Sequence, residues 1–259
     1  MLLNRFNTLI SVCLALILSI ATLESKAEEV LRVGWPEQSQ EPFVLIEGIS
    51  EKTYSGIYFD LLTEITNETG IKFVFKEVPP LRRRFFFDRG EIDIEIGVHP
   101  KWRSKSIVKN ALYTDPFMIQ RENVYFSKQH QVDASGYLLG QKIGMVRGYS
   151  YPEVQPYLDK NVLYRSDFTN ESLLAWALAV ERVQQAVLKE STAGWINIKA
   201  ANYPKFIAGK RLDEIKVSIR LHPQREAAFE RLNNAIAQII KDGRMTSIHK
   251  TYTGFDLTP

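Results

Sequence analysis

Residues 91–117 read EIDIEIGVHPKWRSKSIVKNALYTDPF, and this stretch decides the fold. Its start predicts a β-strand, because isoleucine and valine alternate with polar residues and glycine from residue 92 to 98. The strand breaks at His99 and a proline, and Trp102 and Arg103 follow where it gives way to a loop or helix. Open α/β sheets bind ligands just beyond the carboxyl ends of their strands. Arg103 is therefore a candidate ligand contact, since a guanidinium can meet a carboxylate with two parallel N–H donors.

The N-terminus has the three parts of a secretory signal. A positively charged start is followed by an apolar run over residues 9–20 and by a Ser-Lys-Ala cleavage site that ends at Ala27. The run is short for a membrane span, although an uncleaved anchor is the alternative. We predict a signal peptide over residues 1–27, cleaved after Ala27, and export to the periplasm. The single cysteine, Cys13, lies inside this signal, so the mature chain has no thiol for disulfides, metal ligation or nucleophilic catalysis.

Composition excludes several other functions. The 33 Lys and Arg residues nearly balance the 30 Asp and Glu residues, whereas a nucleic-acid-binding protein calls for a strongly basic face. No segment after the signal reaches the roughly 18 apolar residues that a membrane span requires. The four histidines are scattered without metal-ligand spacing, and no phosphate loop or Ser–His–Asp arrangement is present. We therefore expect neither a metal nor a cofactor, and no nucleic-acid partner.

Strand and helix patterns alternate along the rest of the chain. Strands are predicted at residues 31–34, 71–75, 92–98, 142–145, 162–164 and 185–188, with crossings between two units at 124–126 and 216–219. Helices are predicted at residues 56–69, from the proline pair at 79, at 151–158, from 171, and from 229 to a stop at 242–243 before a short last helix. This alternation predicts an α/β fold with parallel-rich sheets. We expect two lobes, residues 28–125 completed by 218–259, and residues 126–217.

The order of several motifs resembles the extracytoplasmic solute-binding proteins of the polar amino-acid type, family 3. Besides residues 91–117, the matching segments are LRVGW from Leu31 with EPF at Phe43, GIYFDLLTEI from Gly56, PPLRRRFFFDRGEID from Pro79, GQKIGMVRGYSY from Gly140 and LNNAIAQIIKDGRMTSIHKTYTG from Leu232. The resemblance implies a type II periplasmic binding protein fold, with two lobes joined by crossing strands. It also implies capture of a small polar ligand, such as an amino acid, for an ABC permease in the inner membrane. A monomer is expected.

The same resemblance suggests roles for particular residues. Arg103 matches the arginine that grips the ligand's α-carboxylate, and Glu190 matches the acid that holds the ammonium group. Arg147 and Ser150 fall in the turn that caps the carboxylate, and Arg82 matches the arginine of a P-x-x-R helix. Four aromatic residues are candidate walls of the pocket: Trp35, Phe43, Trp102 and Tyr149.

Some of these residues have a second interpretation. Glu190 is equally a candidate for a solvated acid at a helix start, and each aromatic residue is a candidate for the core of a lobe. Glu95 lies within an Ile-x-Ile strand, where a buried unpaired carboxylate is costly, so it should face the cleft or a cation. His99 is a candidate contact or a strand-end cap. Two other functions stay open: an enzyme resembling cyclohexadienyl dehydratase, with Glu190 or Glu95 as its acid, and a sensor-type binding protein.

Overall fold

Eleven strands and seven α-helices alternate along residues 29–102, 110–203 and 205–259, which are the residues that this computed structural model describes. The strands are β1 (Val30–Trp35), β2 (Leu45–Glu47), β3 (Thr53–Ser55), β4 (Lys72–Glu77), β5 (Ile94–Val98), β6 (Leu112–Tyr113), β7 (Met118–Phe126), β8 (Lys142–Val146), β9 (Tyr164–Phe168), β10 (Gln185–Lys189) and β11 (Ile207–Leu221). The helices are α1 (Ile57–Thr69), α2 (Pro80–Asp88), α3 (Gln155–Asp159), α4 (Glu171–Ala179), α5 (Glu190–Lys199), α6 (Phe229–Lys241) and α7 (Arg244–Thr253).

One sheet runs through the whole molecule in the order β4-β1-β5-β11-β7-β10-β8-β9, and β6 also pairs with β11. The strands at each end, β4-β1-β5 and β10-β8-β9, are parallel, whereas β11 and β7 are antiparallel to their neighbours. The 15-residue β11 pairs with β5 through its last residues and with β7 through the rest, so these two strands cross between the ends. Lobe 1 here means the β4-β1-β5 end with α1, α2, α6 and α7. Lobe 2 means the β10-β8-β9 end with α3, α4 and α5.

Two helices have capping residues of the types that are common at helix ends. Gly70 ends α1 in the left-handed conformation with φ 71°, and its N–H bonds to the carbonyl of Thr66. Asn170 caps α4 by accepting a hydrogen bond of 2.8 Å from the backbone N–H of Leu173. The predicted positions of these helices, and of the long α6, are confirmed.

Each lobe has its own hydrophobic core. In lobe 1, α1 and α6 pack their apolar faces on β1 and β5, and the largest fully buried side chain is Trp35. In lobe 2, one cluster lies between α4, α5 and β10, and a second lies around β8 and α3. The predicted mixed α/β class is therefore confirmed, and the helices sit where they cover the parallel parts of the sheet. Within the described ranges, no helix is long and apolar enough to cross a membrane.

Two predicted elements in lobe 2 begin later than expected. The helix predicted at residues 151–158 begins at Gln155, because the preceding residues form a turn in which the Val154 N–H bonds to Tyr151. The strand predicted from residue 162 begins at Tyr164, because the N–H groups of residues 162 and 163 both bond to the carbonyl of Tyr157. Local turn bonds thus displace both elements toward the C-terminus.

Candidate functional site

A cavity of about 600 Å³ lies where the crossing strands pass between the lobes. Its lining comes from lobe 1, from both crossing strands and from lobe 2: Trp102, Gln120, Glu122, Gly148, Tyr149, Ser150, Lys189, Asp213 and Ile215. Trp102, Gly148 and Lys189 lie at or just beyond the carboxyl ends of the parallel strands β5, β8 and β10. This is the position where open α/β sheets bind ligands, and the volume is that of a small-molecule site.

Three charged residues form a row across neighbouring strands on this wall. Lys189 on β10 and Asp213 on β11 are both Cα partners of Glu122 on β7. Residues directly opposite one another on adjacent strands share a face of the sheet and interact through their side chains. The row therefore places one cation and two carboxylates side by side along the cavity.

Lys189 is the cation of the cavity wall. Its Nζ lies 2.6 Å from a carboxylate oxygen of Glu171, and the other oxygen of Glu171 accepts a 2.8 Å hydrogen bond from the Thr192 hydroxyl. Burial alone lowers the pKa of Lys189, but the carboxylates of Glu171 and Glu122 outweigh burial and the pKa is raised overall. The amine is therefore fully protonated at neutral pH. It has three N–H donors, of which Glu171 takes one.

Glu122 is the central acid of the row. Burial raises the pKa of its carboxyl group, the charges of Glu171 and Asp213 raise it further, and Lys189 opposes them. Asp213 lies at the exposed edge of the cavity, on the far side of Glu122 from Lys189. The pair of acids gives this part of the wall a negative potential.

Gln120 stands two residues before Glu122 on β7, on the same face of the strand. Its side-chain Nε2 donates a 3.3 Å hydrogen bond to the hydroxyl of Tyr58, and its residue is only 6% exposed. The Oε1 atom of this amide is buried and has no hydrogen-bond partner among the residues that the structure describes. A buried amide oxygen is costly to leave without a donor, so this atom is an acceptor available to a ligand.

The Tyr58 hydroxyl that supports Gln120 is itself held against β5. Gly97 has φ 72°, and a Cβ at this position would overlap the Tyr58 hydroxyl. Glycine is therefore required there, both for the left-handed backbone and for the close approach of the phenol. Burial raises the pKa of Tyr58, so the group stays a neutral phenol.

The far wall is a turn that follows β8. Gly148 has φ 82°, and Tyr149 and Ser150 follow it at the cavity. The ring of Tyr149 lies 5.4 Å from Nζ of Lys189, within the range of a cation–π contact. Across the cavity, Trp102 is 46% exposed in a 3₁₀ turn, Pro100–Trp102, that continues from β5. The cavity thus has an aromatic side chain from each lobe.

Arg121 shows what lies on the opposite face of β7. Because consecutive strand residues point to opposite faces, Arg121 turns away from the cavity that Glu122 lines. Its guanidinium bonds Glu190 at 3.0 Å and Glu214 at 2.8 Å. Glu190, the acid that the sequence motif matches to the ammonium contact, is therefore in an ion pair on the side away from the cavity.

Of the residues that the sequence suggests for the site, Tyr149, Ser150 and the additional wall candidate Trp102 line the cavity. Trp35 and Phe43 do not. Trp35 is fully buried in the core of lobe 1, with its ring 4.4 Å from that of Phe75, and Phe43 stacks on Tyr58 at 5.2 Å. Both belong to the lobe core, which is the second interpretation given for them above.

Glu95 has the cation that its burial calls for. Arg220 on β11 lies 2.6 Å from a carboxylate oxygen of Glu95, and both side chains are almost completely buried. The guanidinium also lies over the ring of Phe87, 3.8 Å from its centroid. This contact agrees with the interpretation that Glu95 faces a cation. Glu95 is not among the residues that line the cavity.

The remaining candidates lie near the site or outside the description. His99 accepts a 3.0 Å hydrogen bond from the Lys101 N–H through Nδ1 and so caps the turn that carries Trp102. Arg147 precedes the cavity turn with an exposed side chain, and Arg82 is exposed on α2. Arg103 lies outside the described residues, as do the signal sequence and its cleavage site.

Sequence analysis missed five of the lining residues: Gln120, Glu122, Lys189, Asp213 and Ile215. A signal was present in β7, where polar Gln120 and Glu122 alternate within a strand that otherwise buries apolar side chains. A polar face on a strand that crosses between two lobes indicates a wall facing the cleft. Lys189 lines the cavity and directly precedes Glu190, the residue that the motif suggests.

The family follows from a sequence comparison. A family model described as bacterial extracellular solute-binding proteins, family 3, matches residues 31–255. The chain belongs to this family. Its role is therefore solute binding. No curated protein matches the chain in sequence.

Solved structures agree with the solute-binding protein fold. The second substrate-binding domain of Lactococcus lactis GlnP, in its open conformation, has a TM-score of 0.68 at 16% identity, covering 90% of this chain and 98% of that one. An ancestral amino acid-binding protein, AncCDT-1, a precursor of cyclohexadienyl dehydratase, has a TM-score of 0.66 at 17% identity, covering 86% and 95%. A histidine kinase sensor domain similar to periplasmic binding proteins has a TM-score of 0.63 at 15% identity, covering 90% and 98%. At these identities the likeness concerns the fold.

The described side chains of this solute-binding protein can be compared with the groupings that hold metal ions in proteins. In residues 29–102, 110–203 and 205–259, no three His, Cys, Asp or Glu side chains are grouped so as to hold a metal ion. The groups at the cavity are instead a protonated amine, two carboxyls, an amide, a hydroxyl and two aromatic rings. Such groups recognise a small polar ligand through hydrogen bonds and charge.

Proposed function

We propose that the protein captures a small zwitterionic solute, an amino acid or a related amine or carboxylate, between its lobes and delivers it to an ABC permease. The observation that carries this proposal is the row of Lys189, Glu122 and Asp213 on the cavity wall. A zwitterion needs a cation for its carboxylate and an anion for its ammonium group. Both of these contacts are strongest where water is excluded. The row supplies both signs within one strand spacing.

The ligand's carboxylate would lie against Lys189 and the hydroxyl of Ser150. Lys189 keeps donors beyond the one that Glu171 takes. Arg103, which follows Trp102 directly in the sequence, is the further carboxylate contact that the family motif suggests. The ammonium group would lie against Glu122, with the amide oxygen of Gln120 as a second acceptor.

Lobe closure would enclose the ligand. The strands β7 and β11 are the connections about which the lobes can move, and a ligand that contacts both lobes favours the closed state. One contact across the cleft is already made: the hydroxyl of Ser172 on α4 bonds the carboxylate of Glu41, which follows β1, at 2.5 Å. On this proposal the lobes are residues 28–125 with 218–259, and 126–217.

Delivery to a permease requires export. The signal sequence predicted for residues 1–27 would carry the protein into the periplasm, where cleavage after Ala27 would release a soluble monomer. The family is extracellular by description, which supports this location.

A thermal-shift screen of the exported, purified protein tests the proposal. A ligand that binds only the folded state raises the melting temperature by mass action, so amino acids, polyamines, small dicarboxylates and prephenate can be compared directly. We expect a shift with an amino acid, and its loss in Arg103→Ala at an unchanged melting temperature without ligand. A shift that survives Arg103→Ala would remove the assignment of that arginine. The absence of a shift with every amino acid would contradict the proposed ligand.

One observation favours a second candidate, a dehydratase-like enzyme. A carboxyl group whose pKa is raised by burial can act as a general acid, and Glu122 is such a group in the cavity. Glu95 and Glu190, the acids first considered for this role, are both in ion pairs. Turnover of prephenate or arogenate that is lost in Glu122→Gln would support the enzyme. Amino-acid binding without any turnover would leave the binding protein.

A further inference from the structure

The row of Lys189, Glu122 and Asp213 suits any zwitterion, so it leaves the class of solute open. Asp213 is the residue that restricts this class. Glu122 and Asp213 face each other across adjacent strands. Like charges in directly opposite positions destabilise a sheet, and the raised pKa of Glu122 is partly the effect of Asp213. A single ammonium group needs one carboxylate. The second carboxylate leaves this part of the wall with an excess of negative charge, which a second positive group on the solute would balance.

Three cations on the strands of the row have carboxylate partners other than Asp213. Lys189 pairs with Glu171 at 2.6 Å. Arg121 and Arg211 both pair with Glu214, at 2.8 Å and 3.1 Å. The pKa of His99, which Asp213 raises, is lowered overall by burial and by Lys101, so His99 is neutral at neutral pH.

Gln120 provides an independent observation at the same place. Its side chain is more than nine-tenths buried on the cavity wall, and within the described ranges its Oε1 has no donor. Gln120 and Glu122 lie on one face of β7, so this acceptor stands beside the two carboxylates. The amide oxygen serves the α-ammonium group beside Glu122, and the carboxylate of Asp213 is then left for another group with N–H donors, such as a second ammonium or a guanidinium.

We propose that the solute carries a cationic side chain, as arginine, lysine and ornithine do, and that Asp213 selects for it. The inference rests on the proposed function. Lys189 and Asp213 lie at the ends of the row, two strand spacings or roughly 10 Å apart. The α-carboxylate would lie at the Lys189 end, the α-ammonium at Glu122, and the side-chain cation at Asp213. Trp102 offers an aromatic face for the same cation.

Calorimetry with arginine and citrulline tests the charge alone. Citrulline has the shape of arginine but replaces the guanidinium with a neutral urea group. We expect arginine to bind at least about tenfold more tightly, because the charge contact with Asp213 is lost with citrulline. In Asp213→Asn the preference should fall to within about threefold, mainly through weaker arginine binding. Glu214→Gln is the matched control. Glu214 follows Asp213 on β11, but its carboxylate bonds Arg121 on the side away from the cavity. This variant should keep the full preference.

The outcomes separate the two proposals. Equal or tighter binding of citrulline, or of glutamine or glutamate, would overturn the cationic side chain while amino-acid binding itself stands. No binding by any amino acid would overturn the proposed function. A preference for arginine that survives Asp213→Asn in a variant with an unchanged melting temperature would remove the role of Asp213.

Discussion

The two faces of β7 use the same kinds of residue for opposite purposes. On one face, Arg121 bonds Glu190 and Glu214, so one cation satisfies carboxylates from α5 and β11. On the other face, Glu122 lies between Lys189 and a second acid, and the cavity is open beside it. The first set is complete within the protein. The second set has a surplus of acceptors.

This difference separates a structural ion pair from a binding site. Charge and burial do not distinguish them, because both faces hold part-buried charged side chains. What distinguishes them is whether each polar atom finds its partner inside the protein. On the cavity face, the amide oxygen of Gln120 finds none in the described part of the chain, and burial raises the pKa of Glu122 because its compensation is incomplete.

Loss of Lys189 should give the largest effect. In Lys189→Met, Glu171 stays mostly buried without its cation, so we expect the free energy of unfolding to fall by about 3 kcal/mol. Binding of the amino acid that gives the largest thermal shift should also be lost. Urea denaturation and calorimetry measure the two effects.

Lys128→Met is the matched control for that substitution. Lys128 pairs with Glu181 at 2.7 Å, but both side chains are largely exposed, so its loss should cost at most about 1 kcal/mol. Equal losses of stability in the two variants would show that the cavity-face pair has no special weight.

The pH dependence of stability tests the cavity face next. A carboxyl group with a raised pKa binds its proton more tightly in the folded state, so its contribution to stability is lost as the pH rises through that pKa. Glu122 is faced by Lys189, Glu171 and Asp213, and only its own substitution removes its titration. We expect the free energy of unfolding, measured from pH 4 to pH 8, to fall less with rising pH in Glu122→Gln than in the native protein. An unchanged profile would show that Glu122 is not the group responsible.

Arginine affinity at neutral pH should fall roughly tenfold in the same variant.

Glu190→Gln distinguishes the sequence motif from the geometry. Glu190 bonds Arg121 away from the cavity, so we expect a loss of about 1–2 kcal/mol in unfolding free energy and ligand affinity within about threefold of native. A large loss of affinity at unchanged stability would instead restore Glu190 as the ammonium contact.

Glu214→Gln should have the smallest effect. Arg121 keeps Glu190 as a partner, and Glu214 is exposed, so the melting temperature should not change measurably. A clear loss of stability would show that the face of β7 turned away from the cavity depends on all three of its charges, Arg121, Glu190 and Glu214.

The sequence by itself determined the elements and their order. Periodicity of two and of 3.6 placed β1, α1, β5, β10 and α6 to within a few residues, because alternation and amphipathicity follow from the local geometry of strands and helices. Capping at Gly70 and Asn170 is also a local property. The succession of these elements, with its motifs, was sufficient for the family and the mixed α/β fold.

Only the tertiary structure decided which residues face the cavity. Alternation tells which residues of β7 share a face, but not which face is turned to the cleft, because that depends on what packs on the other side. The row of Lys189, Glu122 and Asp213 depends on pairing across three strands. Glu95 finds its cation 125 residues away in Arg220, and the ring of Trp35 packs in the core against Tyr54 on β3 and Phe75 on β4. Such contacts join distant parts of the chain, and so they exist only once the lobes are folded.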